Sequence, residues 1–204
     1  MILILSALLF SLSSNLDNVV IGIAYGVKNI KIRILPNFII AAVTSIGTLL
    51  SMSVGKYISR FLPDYIANFL GAVVIILLGI YFLIQSIIKL VKNTKSKELS
   101  LKNITDMVEY AESSDLDKSG DINIREALFV AFGLTFNNLG TGVAASITGV
   151  NIPLTVILTF LLSIFTIILG DALGNHVFGN LLGKYAPLIS GFLLIVLGII
   201  EAFN

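Results

Sequence analysis

Leu16-Asp17-Asn18-Val19-Val20-Ile21-Gly22-Ile23-Ala24-Tyr25-Gly26 sets a carboxylate and an amide inside an otherwise apolar run that begins at Ile2. A helix of about 20 apolar residues crosses the hydrocarbon core of a bilayer, so Ile2–Tyr25 reads as a membrane span with an acid inside it. The same pattern returns in the second half of the chain. Asn137-Asn138 followed by Gly142 repeats Asp17-Asn18 followed by Gly22 at one constant offset. Tyr65 and Gly71 recur as Tyr185 and Gly191 at that offset, and Leu78-Gly79-Ile80 recurs as Leu197-Gly198-Ile199 one residue out of step.

Working outward from these segments, the other spans read as Asn37–Ile58, Tyr65–Leu90, Ala127–Thr148, Pro153–Leu173 and Tyr185–Phe203. Pro36 and Pro153 stand at helix entries, where a missing N–H costs nothing. Composition agrees: 56% of the 204 residues are hydrophobic and 12% charged, about half the charged fraction of a soluble domain. The chain has no cysteine, which excludes a disulfide framework and thiolate metal sites. No basic residue precedes the first apolar run, so it is not expected to be a cleaved signal. No nucleic-acid partner is expected; the expected partners are the lipid bilayer and a divalent cation, with the oligomeric state open.

The expected fold is an all-α membrane protein of six transmembrane helices. It is organised as a first three-helix repeat (1–91), a hydrophilic cytoplasmic connector (92–125) and a second three-helix repeat (126–204). Each repeat has an odd number of spans, so the two insert with opposite orientations, the inverted-repeat arrangement of secondary transporters. Orientation follows from the basic residues. Lys28, Lys31 and Arg33 lie in the first loop, Lys92 to Arg125 in the third and Lys184 in the fifth, against only Lys56 and Arg60 on the other face. Both termini are therefore expected outside the cytoplasm.

A carboxylate placed in the bilayer costs about 2.5–3.5 kcal/mol on insertion scales, so Asp17 calls for a partner or water inside the bundle. Asp17, Asn18, Asn137 and Asn138 offer hard oxygen ligands suited to Mn²⁺ or Mg²⁺; the alternative is that the amides only hold helices together. Thr44, Ser45, Thr48 and Ser51, with Thr159, Ser163 and Thr166, have the chemistry to line a path, although such hydroxyls more often bond back to their own helix. Asp171 and Glu201 are expected at the interfaces. His176, in a loop, is assigned no role. Gly22-x-x-x-Gly26 and Gly142-x-x-x-Ser146 permit close helix crossing.

The connector carries a second motif. Asp115-Leu-Asp117-Lys-Ser119-Gly120-Asp121-Ile122-Asn123-Ile-Arg-Glu126 fits the twelve-residue calcium loop of an EF-hand. Asp115, Asp117 and Ser119 hold the first oxygen positions, Gly120 the sharp turn, and Asp121 offers its backbone carbonyl. Asn123 acts directly or through water, and Glu126 closes the loop. Ca²⁺ or Mn²⁺ is the expected ion, and a solvated acidic linker is the alternative. Leu101, Ile104 and Val108 have helical spacing ahead of it.

These residues resemble the manganese efflux pump (MntP) family, most closely its branch of YtaF-type sporulation membrane proteins. The resemblance rests on Leu16–Gly26, the three-plus-three repeat and the Asp-Lys-Ser-Gly linker. It implies a multi-pass inner (cytoplasmic) membrane protein that exports manganese as its substrate, with one aspartate near the centre of the first helix and one in the fourth. Asp17 matches the first; Asn137 stands where the family has the second. No phosphate-binding loop or protease signature is present, so the chain is expected to be a secondary transporter and not an enzyme. The alternative is a non-transporting sporulation-associated protein with an ion-responsive connector.

Overall fold

The computed structural model describes residues 2–94, 113–174 and 177–203. All regular structure among them is helical: α1 (Ile2–Lys28), α2 (Ile34–Ser59), α3 (Asp64–Thr94), α4 (Ile124–Ile147), α5 (Ile152–Gly174) and α6 (Val177–Ala202). Leu101, Ile104, Val108 and His176 lie outside the described residues. Five of the helices are long and apolar enough to cross a bilayer, and α4 joins them as a bent pair, turning by 48° between Ile124–Phe136 and Asn138–Ile147. The chain is a multi-pass membrane protein.

Helix starts and stops follow local chemistry. Pro36 and Pro153 fall in the first turns of α2 and α5, where the absent N–H has no intrahelical partner to lose. Helix α4 opens before Ala127 because Asn123 caps it. Its side chain accepts from the N–H groups of Arg125 and Glu126, and Glu126 returns to the Asn123 N–H in a capping box. Such a cap is worth about 1 kcal/mol. Helix α6 starts at Val177 and carries Pro187 in its interior.

The principal helix pairs are α1 with α5, α2 with α4 and α3 with α6. Exchanging each helix of the first half with its counterpart in the second maps these pairings onto themselves. Small residues make the closest crossings. A Cβ on Gly22 would lie 2.5 Å from the Ile167 carbonyl oxygen, and one on Gly170 2.4 Å from that of Val19. At the α2–α4 crossing the facing groups are Gly55 with Ser146 and Gly142 with Ser51. Gly79 and Gly191 meet backbone to backbone between α3 and α6. Lipid tails are as apolar as leucine, so such contact and interhelical hydrogen bonds supply the cohesion. The outer surface is apolar, with Phe69, Leu77, Phe132, Leu161, Phe165 and Phe192 exposed.

Glu201, in the last turn of α6, is buried: it is 4% exposed, and the Ser6 hydroxyl donates to its Oε1. The C-terminal turns of α6 lie against the start of α1, and that contact encloses the carboxyl group. Asp171 is half-buried, its backbone facing Gly22 and Gly26.

Candidate functional site

A polar cavity lies where α1, α2, α4 and α5 meet. Its volume is about 10 Å³, room for about one water molecule, and it is lined mainly by hydroxyl and amide side chains. Asn18 of α1 and Asn138 of α4 are both in its wall, with Thr44, Thr48 and Ser51 of α2 and Thr159 of α5. Thr44, Thr48 and Ser51 share one face of α2, at the i, i+4, i+7 spacing of a helical stripe.

The two amides are fixed by their nitrogens. Asn18 Nδ2 donates to Asn15 Oδ1 at 2.7 Å and to Ser163 Oγ at 2.9 Å. Asn138 Nδ2 donates to the Ser14 carbonyl at 2.9 Å and to the Leu134 carbonyl at 3.4 Å. An amide nitrogen has two hydrogens, and in both residues both are spent on the protein. What each side chain has left is its carbonyl oxygen. Asn18 is 2% exposed, and among the described residues its Oδ1 has no hydrogen-bond partner. A buried acceptor left without a donor costs about 1–3 kcal/mol, so the cavity wall carries an acceptor that a ligand would satisfy.

Asp17 is half-buried and is not one of the residues bordering this cavity. Successive residues of a helix point about 100° apart, so Asp17 and Asn18 face different neighbours. The backbone of Asn137 lies in α4; its side chain is outside the described residues. Ser14 and Thr135, which the sequence reading did not single out, also border the cavity. Their signal was present: they precede Asn18 and Asn138 by four and three residues, on the same helix faces. The hydroxyls expected to bond back to their own helices do so as well as lining the wall. Thr44 donates to the Ile40 carbonyl and Thr48 to that of Thr44.

The connector loop forms a second candidate centre. Carboxylate oxygens of Asp115, Asp117 and Glu126 lie within 4.8 Å of one another, with Asp115 and Glu126 buried and Asp117 exposed. The loop is held in shape by its own donors. Asp115 accepts from the N–H groups of Ser119 at 3.0 Å and Gly120 at 2.9 Å, and Glu126 from those of Leu116 and Asn123, both at 2.8 Å. Gly120 has φ of +75°, a conformation that suits glycine. The Ser119 side chain, and then its backbone N–H, hold the Asp117 carboxyl below the ordinary aspartate range. Each carboxylate oxygen has a further lone pair, so the three-carboxylate cluster suits a divalent ion such as Ca²⁺ or Mn²⁺. Asn123 Oδ1 is committed to the α4 cap, and its Nδ2 donates to Asp117. The Asp121 carbonyl accepts from Ser119 Oγ at 2.9 Å.

This loop is docked on the first interhelical loop. Lys31 N donates to the Gly120 carbonyl at 2.9 Å, and Ile122 N to the Lys31 carbonyl at 3.0 Å. Arg33 and Asp121 form an ion pair at 2.6 Å. Ile122 is buried in one cluster with Ile30, Tyr25, Ile40, Ala127 and Val130, which ties the loop to α1, α2 and α4.

A family model described as "Putative manganese efflux pump" matches residues 2–83 and 98–200. The chain is similar to "Probable sporulation protein YtaF" of Bacillus subtilis (strain 168). The two are 28% identical over 213 residues, covering 95% of this chain and 97% of the relative. No solved structure matches the chain.

Proposed function

The chain belongs to the manganese efflux pump family, and from that premise and its buried polar cavity we propose that it is a secondary transporter exporting a divalent cation, manganese first. The cavity carries the reading, because its walls come from α1 with α4 and α2 with α5, the helices exchanged by the sequence repeat. Two inverted repeats would place a transport site at their interface. The proposed site comprises Asp17, Asn18, Asn137 and Asn138. Asp17 supplies the carboxylate that anchors a doubly charged ion, and the amides supply neutral oxygens. Export of a doubly charged ion against an inside-negative potential costs about 4.6 kcal/mol per 100 mV, so it must be coupled to an ion moving inward. Cells expressing the chain are expected to hold several-fold less manganese than control cells in manganese-rich medium, measured by elemental mass spectrometry. Equal manganese contents would count against export.

The same reading sets both termini outside the cytoplasmic membrane and the connector within the cytoplasm, organised as repeats 1–91 and 126–204 around 92–125. The chain has no native cysteine, so Ser100→Cys gives a clean test. It is expected to resist an impermeant thiol reagent in intact cells and to react after permeabilisation; labelling from outside would reverse the orientation.

The connector is proposed to hold Ca²⁺ or Mn²⁺ between Asp115, Asp117 and Glu126, with Ser119 and the Asp121 carbonyl beside them and Asn123 orienting Asp117 through Nδ2. Titration of the detergent-solubilised full chain carrying Asp17→Asn, which lacks the transport-site carboxylate, should give by calorimetry a binding heat that adding Asp115→Ala with Glu126→Gln removes. Gln at position 126 keeps one oxygen for the Asn123 N–H of the capping box, so the start of α4 is retained. Heat that survives the double substitution would place the ion elsewhere. The docked loop also favours a second reading, a sporulation-associated protein whose connector senses an ion without transport; absence of flux together with connector binding would select it.

A further inference from the structure

The cavity beside Asn18 is polar, but none of the side chains in its wall is charged. A dehydrated divalent ion needs carboxylates to offset the hydration it leaves behind, as the usual Ca²⁺ and Mg²⁺ ligand sets show. Singly charged alkali ions are held by neutral oxygens alone, carbonyls above all. The wall offers that chemistry. Asn18 Oδ1 is buried without a partner among the described residues, Asn138 has both amide hydrogens spent on backbone carbonyls, and Thr44, Thr48, Ser51 and Thr159 add hydroxyl oxygens. A hydroxyl that donates to its own helix, as Thr48 does to the Thr44 carbonyl at 3.0 Å, keeps its oxygen lone pairs for a cation.

We propose that this cavity is a sodium site, and that sodium in it and the exported divalent ion at Asp17 exclude one another. The proposal rests on the transporter reading above and supplies its coupling ion. Asp17 anchors the divalent ion from one side of α1, and the neutral cavity holds the monovalent ion on another. Cations held at adjacent residues of α1 repel one another, so occupancy alternates and the two ions exchange. Sodium is the alkali ion whose gradient runs inward in cells that retain potassium, the direction that export requires.

Binding of ²²Na⁺ to the detergent-solubilised full chain tests the site without requiring transport. Saturable binding is expected, displaced by Mn²⁺ and little affected by equal potassium. Asn18→Leu should weaken it at least tenfold, and Thr48→Val, close to isosteric, several-fold. Ser53→Ala, a hydroxyl on the exposed face of α2, should leave it unchanged. A folded wild-type chain without saturable ²²Na⁺ binding, or with binding that Mn²⁺ does not displace, overturns the proposal. In proteoliposomes, Mn²⁺ flux indifferent to a sodium gradient also overturns it and leaves the transporter reading standing. Sodium binding with no Mn²⁺ flux under any gradient would instead remove the transporter reading, and the coupling role with it.

Discussion

Asp17→Asn is expected to weaken manganese binding by about a hundredfold or more and to abolish export, whereas Asn137→Asp should strengthen both by about tenfold. The asymmetry follows from charge. Two unit charges about 4 Å apart attract by about 4 kcal/mol at an effective dielectric of about 20, and a divalent ion doubles that. Asp17 is the carboxylate of the proposed site, so its loss leaves only neutral oxygens around the ion. A second carboxylate at position 137 gains less, because it must itself be desolvated and is repelled by the first. The readout is the electron-spin signal of free Mn²⁺ over the solubilised chain carrying Asp115→Ala and Glu126→Gln, so that the connector does not bind the ion. Wild-type binding by Asp17→Asn would show that the ion is held without that carboxylate.

The second large effect is structural. Gly170→Ala is expected to destabilise the bundle by about 3 kcal/mol or more, at the upper end of overpacking costs. Its Cβ would meet the Val19 carbonyl oxygen at 2.4 Å, and a backbone atom in the middle of α1 cannot step aside without opening the α1–α5 contact. Gly142→Ala should cost less, because the obstacle is the Ser51 hydroxyl at 2.2 Å, the free end of a side chain. Gly140→Ala meets nothing within 4 Å and should be neutral or slightly stabilising. Thermal unfolding in detergent orders the three; equal melting temperatures would mean that the α1–α5 crossing is looser than its geometry indicates.

The apolar segments were legible because only long runs of such residues meet the length requirement of a bilayer, and each segment matches one helix, overrunning its C-terminal end by one residue at Thr148 and Phe203. The connector loop was legible for a different reason: Gly120 and Glu126 serve their turn-forming and loop-closing roles through strict local spacing. What sequence could not supply was direction. Asp17-Asn18 reads as one motif, yet neighbouring helical positions diverge by about 100°, and only Asn18 borders the cavity. Asn123 reads as an ion ligand, but its carbonyl oxygen is committed to the α4 cap, a role that the same oxygen suits equally well. The burial of Glu201 against Ser6 depends on how α6 meets α1, a packing fact with no local signature.

The most direct test of the account is ion flux in proteoliposomes containing the purified chain, with Mn²⁺, Mg²⁺ and Ca²⁺ offered in turn under an opposing sodium gradient. The account predicts Mn²⁺ movement that collapses when the gradient is dissipated and is absent in Asp17→Asn. Folded protein that moves none of the three ions under any imposed gradient would contradict it.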